Sequence, residues 1–189
     1  MTGSIALFGA TGRTGKEFLK LALAEGYTVQ ALVRDPAKVI AKSDALTLVK
    51  GGFEDVAALN KVVEGVDYVV CMAAAGVAAE DGVYPKDFML HFVQRLYAIL
   101  QTTRPKVFLY QAGSMSADGK GFLHPVAWTM KQTLGRKIKI FPKVEDNDAA
   151  IQYIGKNSTK FKFIVTRAGV LENGPIESEA KLSEWVRSR

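Results

Sequence analysis

The 189-residue sequence is poor in cysteine and histidine, with one Cys and two His. Cys71 alone cannot close an internal disulfide, and no CxxC or HExxH spacing offers a metal site. Neither a metal nor a disulfide staple is expected, and a reducing, cytoplasmic setting fits. No apolar run approaches the about 20 residues needed to cross a bilayer. The opening MTGSIALFGATG lacks the basic start and cleavage site of a secretory signal and reads as a buried strand. Internal repeats, low-complexity tracts and long linkers are also missing. What is present is 48% hydrophobic and 23% charged residues with a net charge of +6. That balance suits a folded chain and an anionic ligand, without choosing between nucleic acid and phosphates. A chain of this size buries about 70% of its unfolded surface, so one domain over residues 1–189 is expected.

Short β-branched runs alternate with amphipathic stretches. Strands are expected at Ser4–Phe8, Thr28–Val33, Ala45–Val49, Asp67–Met72, Lys106–Tyr110 and Lys162–Thr166. Helical spacing appears in Lys16–Glu25, Val56–Glu64, Asp87–Gln101 and Lys143–Lys156. In Val56–Glu64 the residues Val56, Leu59, Val62 and Val63 are expected inward. Asp35-Pro36 reads as a helix start, with Asp as cap and Pro in the first turn. Strands joined by helices need crossover connections, hence an α/β chain with a parallel sheet covered on both faces. The expected architecture is a Rossmann-type doubly wound sheet in the order 3-2-1-4-5-6. Its crevice lies at the carboxyl ends of strands 1 and 4.

The strongest motif is Gly9-Ala10-Thr11-Gly12-Arg13-Thr14-Gly15, directly after the first strand. Gly9 permits a tight exit, Gly12 lets a pyrophosphate approach the backbone, and Gly15 allows close packing of helix on sheet. Amide groups at the helix start, together with the helix dipole, then face phosphate. The second strand ends Leu32-Val33-Arg34-Asp35. An NAD site usually has an acid at this tip for the ribose 2′-hydroxyl. Here Arg34, with Arg13 and Lys38, offers a grip for a 2′-phosphate, so NADP(H) is the expected cofactor. The alternative is that Arg34 is a solvated charge and Asp35 takes the ribose.

GATGRTG, LVRDPAK, GGFED and VEGVDYVVCMAAAG together resemble the atypical short-chain dehydrogenase/reductases. The closest groups are the NmrA-like and flavin/biliverdin-reductase-like NAD(P)H-binding proteins. The resemblance spans about residues 3–175. It implies cofactor contacts at Gly9, Thr11, Gly12, Arg13, Thr14, Gly15 and Arg34. A Gly-Asp pair for the adenine is replaced by Gly51-Gly52-Phe53, which leaves the backbone of Gly52 and Phe53 to meet the adenine edge. Ala73 and Ala74 match the loop beneath the nicotinamide ribose. Gln111 is placed to orient the nicotinamide carboxamide. Ala168 stands for the proline of the segment that closes over the nicotinamide, with Arg167 as a structural clamp.

The chemistry usual in this superfamily uses a Tyr with a Lys four residues later, the Lys lowering the phenol pKa for proton transfer. Four residues after Tyr27, Tyr68, Tyr84, Tyr97, Tyr110 and Tyr153 stand Ala31, Met72, Phe88, Gln101, Ser114 and Asn157. The pair is missing. The remaining catalytic candidates are Ser114, to hydrogen-bond a substrate carbonyl or to cap the next segment, and Asp146, with Asn147 beside it, to relay protons, to orient a substrate or to cap a helix. Residues about 115–143 read as a basic insertion with Lys120, Lys131, Arg136, Lys137, Lys139 and Lys143. It is a lid for an anionic aromatic substrate, a partner surface, or a solvated helix. His124, before Pro125, sits at a turn or helix start. Related proteins usually continue further than this chain does after Arg167, so the expectation is an open site, one shaped by a partner subunit, or one that does no chemistry.

The function these features imply is an NADPH-dependent oxidoreductase passing hydride to a small aromatic or conjugated acceptor such as a flavin, quinone or carbonyl. The alternative is a non-catalytic NADP(H)-binding redox sensor of the NmrA-like kind. The expected partner is the small-molecule acceptor. A homo-oligomer stays open, a membrane is excluded, and nucleic acid is not favoured.

Overall fold

The computed structural model describes residues 2–73, 85–113, 115–117, 123–135, 141–157 and 160–168. Six strands form one sheet: β1 (Ser4–Phe8), β2 (Thr28–Val33), β3 (Leu46–Lys50), β4 (Tyr68–Cys71), β5 (Val107–Gly113) and β6 (Lys162–Ala168). Their order is β3-β2-β1-β4-β5-β6, and every pairing is parallel. This is the Rossmann-type order expected from the alternation of strands and helices. Because β1 lies between β2 and β4, successive crossovers run in opposite directions from it. A crevice therefore opens at the carboxyl ends of β1 and β4.

The period of two along each strand decides which layer each side chain enters. One face presents Ala6, Phe8, Val69, Cys71, Phe108 and Tyr110 to α2 (Val56–Val63), α3 (Phe88–Thr103) and α5 (Phe141–Asn157). The other face presents Ile5, Leu7, Val29, Ala31 and Val33 to α1 (Arg13–Ala24). Phe8 and Phe92 are fully buried and meet edge to face at 5.2 Å. Each such side chain stabilises the fold by about 1.5–3 kcal/mol relative to exposure. No described helix is long and apolar enough to cross a membrane.

Helix ends explain the boundaries. Asp55 caps α2 by accepting from the Ala58 amide at 3.0 Å. Asp35 accepts from the Ala37 amide at 3.1 Å, but the turn it opens is a 3-10 helix limited to Pro36–Lys38. Val56, expected inward, is 51% exposed. It is the first residue of α2, one turn before the inward residues Leu59, Val62 and Val63, and lies where the helix has only begun to meet the sheet. At the opposite edge from the crevice, Asp67 accepts from the Ser4 amide and hydroxyl and pairs with Lys106 at 2.9 Å. The Lys106 ammonium, then the Ser4 amide, hold the Asp67 carboxyl below its ordinary pKa.

Candidate cofactor site

The glycine loop is built as its spacing demands. Gly9 has φ +88°, and a Cβ there would stand 2.6 Å from the Ala73 nitrogen. Its backbone therefore lies directly against the exit of β4, in a conformation that favours glycine. A Cβ on buried Gly15 would land on the Gly9 carbonyl oxygen. At Gly12 the nearest atom to a Cβ, among the described residues beyond its chain neighbours and its own helix, is that same oxygen at 3.3 Å. The Gly12 amide donates to it at 3.0 Å. Gly12 is also the N-cap of α1, and no side chain caps this helix or places an acid in its first turn. The positive end of the α1 dipole is thus left for an anion. Thr11, Gly12 and Arg13 are exposed, and Thr14 is half-buried.

At the tip of β2, Arg34 is exposed. Asp35 commits Oδ1 to the Ala37 amide. Lys38 is exposed at the end of the same 3-10 turn. Gly52 and Phe53 follow β3 on the same sheet edge and are half-buried. The Phe53 ring stacks on Phe92 at 4.0 Å and 21° and leans toward Phe88. Its side chain is thus engaged with α3, which leaves its backbone as the group toward a ligand.

At the other end of the crevice, Ala73 is buried against Gly9. Ala74 and Ser114 lie outside the described residues. Gln111 pairs in register with Thr166, and Gly113 with Ala168, so β5 and β6 end together. The Gln111 Oε1 atom is buried and has no hydrogen-bond partner among the described residues. A buried acceptor left unmatched is costly and marks a place for a donor. Arg167 donates from Nη1 to the Ser116 carbonyl at 3.2 Å, tying β6 to the turn after β5.

Asp146 is only 3% exposed. Its Oδ2 accepts from the Met89 amide at 2.7 Å and its Oδ1 from the Leu90 amide at 2.9 Å. It therefore caps α3 from another helix, 57 residues away from Met89. This cap serves a helix whose own N-cap, Asp87, sits at φ 55° without a side-chain cap bond. The two neighbours of Asp146 are also committed. Asn147 Oδ1 accepts from the Tyr110 hydroxyl at 2.6 Å. Asp148 accepts from the Ala117 amide at 2.7 Å and pairs with Lys131, whose residue is 8% exposed. Consecutive helical residues are separated by about 100°, so three in a row fan toward three neighbours. Sequence reasoning singled out Asp146 and missed the roles of Asn147 and Asp148. The available signal was three consecutive polar side chains immediately before the apolar face of α5.

Lys131 opens a π-helical turn, Lys131–Gly135, after α4 (Pro125–Met130). His124 caps α4, its Nδ1 accepting from the Val126 amide at 3.3 Å. Cys71, at the end of β4, is fully buried, and desolvation pushes its thiol up to about 12. It is not a thiolate at neutral pH.

A family model described as NAD(P)H-binding matches residues 9–184. Among solved structures, the chain resembles a putative epimerase from Bacteroides thetaiotaomicron, with 19% identity and a TM-score of 0.66 over 87% of this chain and 70% of that one. It also resembles an anaerobillin reductase from Escherichia coli O157:H7, with 18% identity and a TM-score of 0.65 over 90% of this chain and 75% of the other. A third, a Bordetella bronchiseptica enzyme in complex with NAD+, has 15% identity and a TM-score of 0.65, covering 87% of this chain and 55% of its own. At these identities the structures share the fold. The match of the family model across the glycine loop, strands β2 to β6 and α5 places the chain in the NAD(P)H-binding family.

Proposed function

We propose that the protein binds NADP(H) along the carboxyl edge of the sheet and acts as a cytoplasmic reductase on a small aromatic or conjugated acceptor. The carrying observation is the start of α1 at Gly12, which no side chain caps and whose first turn carries no acid. In this reading the diphosphate lies there, over Thr11, Arg13 and Thr14. Arg34 holds a 2′-phosphate, and the commitment of one Asp35 oxygen to Ala37 supports that choice. Gln111 Oε1 accepts from the nicotinamide carboxamide, which would satisfy an atom that has no partner among the described residues. Ala73 and Ala168 offer small side chains along the same edge.

When bound, NADPH supplies a hydride. The chain's own contribution is proximity and orientation, which lower a barrier substantially without a protein acid. A flavin or quinone acceptor fits, because water can supply its proton. The segment at about 115–143 serves as the lid in this account. Within it, α4 exposes Trp128 and Met130 at 55% and 45%, an apolar surface that a planar acceptor would cover. Mixing the protein with NADPH and a panel of flavins, quinones and aldehydes tests this by loss of nicotinamide absorbance. Turnover of any acceptor supports the reductase.

A second reading, the redox sensor, is favoured by one observation. Tyr110, Asp146, Asn147 and Asp148 all have polar atoms committed to internal bonds. Tight NADP(H) binding without turnover, and a partner whose binding follows the cofactor's redox state, would select it. Cofactor choice is tested by Arg34→Ala. Loss of a charge-assisted phosphate contact worth about 1.5–3 kcal/mol should weaken NADPH by roughly 10–100-fold. NADH should weaken far less, and equal loss for both cofactors contradicts the assignment.

A further inference from the structure

Five of the six residues of α4 (Pro125–Met130) are apolar, with Thr129 the exception. A helix apolar all round is ordinarily buried. This one is held to the protein along a single side. Ala127 is half-buried there, and Lys131, one turn on, is buried, pairs with Asp148 and lies 5.4 Å from the Phe141 ring. The other apolar side chains point outward, and Val126, Trp128 and Met130 are each 45% exposed or more. We propose that α4 enters the interface of an anionic lipid bilayer and attaches the protein to that surface.

Three observations carry the assignment. The first is where the exposed side chains stand. Successive helical residues are about 100° apart. Val126 and Met130 therefore share one flank, and Trp128 lies on the flank opposite. A flat protein face, or one planar acceptor, covers one flank and leaves the other in water. Lipid closes around both. Tryptophan suits the depth, since its ring is apolar and its indole N–H finds partners at the wet boundary.

The second is that α4 satisfies its own polar groups. The Thr129 hydroxyl donates to the Pro125 carbonyl at 2.9 Å, and the Thr133 hydroxyl to the Thr129 carbonyl at 2.8 Å. Both exposed hydroxyls are thus turned back onto the helix. Pro125 has no amide hydrogen, and the Val126 amide donates to His124 Nδ1 at 3.3 Å. A segment whose donors are already matched loses least on leaving water.

The third is charge. From Gly119 to Val144 the sequence holds Lys120, Lys131, Arg136, Lys137, Lys139 and Lys143, and no acid. Asp148 neutralises Lys131, so the other five set the sign of the partner. That excess opposes a second copy docking through the same segment, while anionic headgroups attract it. The lack of a spanning run excluded a membrane at the level of sequence. Lying at its surface needs no such run, so this inference revises that expectation. It does not depend on NADP(H) binding.

Co-flotation of the intact protein, without cofactor or acceptor, tests it. The vesicles are phosphatidylcholine alone, or an equimolar mixture with phosphatidylglycerol. Binding is expected to the mixture and not to phosphatidylcholine alone. It should fall about fivefold or more between about 0.1 M and about 1 M salt, where the screening length shrinks from about 10 Å to about 3 Å. Trp128→Ser should weaken it about tenfold or more, and Met130→Ser about fivefold, while Trp128→Phe keeps most of it. These positions are exposed, so the variants should fold, as circular dichroism would verify. Trp185→Phe leaves Trp128 as the sole tryptophan. Its emission should then shift to the blue on anionic vesicles and be quenched by bromine placed on the acyl chains. No flotation with the anionic mixture at low salt overturns the inference. So does flotation that ignores Trp128→Ser and Met130→Ser, since charge alone would then hold the protein. A dimer that Trp128→Ser dissociates, in a protein that does not float, assigns the surface to a second copy instead and overturns it too. None of these results bears on the dinucleotide reading.

Discussion

Gly15→Ala should destabilise the protein by about 3 kcal/mol and abolish measurable NADP(H) binding, although the same change in most helices is favourable. A helical Gly replaced by Ala ordinarily gains about 0.5–1 kcal/mol. Here the new methyl would land on the Gly9 carbonyl oxygen and approach the Gly9 carbonyl carbon to 2.8 Å. Both are backbone atoms, so relief requires moving either α1 or the loop itself. Overpacking of this sort costs about 1–3 kcal/mol, and the absence of a flexible neighbour puts it at the upper end. Gly9 cannot yield, because its own backbone is packed against Ala73. Urea unfolding reads the stability and calorimetry reads the binding. An unchanged urea midpoint with intact binding would mean that the helix does not pack on the loop this closely.

Asp148→Ala should lower stability by about 3 kcal/mol as well, by a different route. The change leaves the Lys131 ammonium, in a side chain only 11% exposed, without its carboxylate. Breaking a buried pair from one side costs about 3–5 kcal/mol, and the remaining solvent access places this one at the low end. The Ala117 amide loses its acceptor too. For a protein of this size each kcal/mol is worth about 2–4 °C, so Tm should fall by roughly 6–12 °C. Adding Lys131→Met to Asp148→Leu should recover half or more of the loss, since an apolar pair of similar volume often replaces a buried ion pair without penalty. Thermal unfolding of the single and double variants measures this. A single variant within about 0.5 kcal/mol of the parent would show that the pair holds nothing, the magnitude usual for surface positions.

The strands and the sheet order were legible because each depends on local pattern. β1 and β2 begin and end where their apolar runs do. Ends set by tertiary pairing were not. β5 continues from Tyr110 to Gly113 because β6 runs beside it, pairing Gln111 with Thr166 and Gly113 with Ala168. Helix α1 starts at Arg13 rather than Lys16, since the last residues of the glycine loop already form its first turn. The cofactor end was readable because a diphosphate needs glycines at fixed spacing. The roles of the residues at the start of α5 were not, because their partners lie at long separations in sequence. Asp146 meets α3, Asn147 meets β5, and Asp148 meets Lys131 and the turn after β5. Phe53 shows the same limit. The resemblance spoke only for its backbone, and nothing in its sequence position showed that its ring stacks on Phe92 of α3.

The whole account turns on the amides around Gly12 holding a dinucleotide. Calorimetric titration of the intact protein with NADP+ and NADPH, paired with thermal unfolding, addresses it without reference to any acceptor. Saturable heat is expected with both. At a hundredfold excess over Kd, stabilisation should reach about 2.7 kcal/mol, or a Tm increase of roughly 5–10 °C. Flat heats and an unmoved Tm with either redox form at millimolar concentration would remove the basis for the cofactor site and for the reductase built upon it.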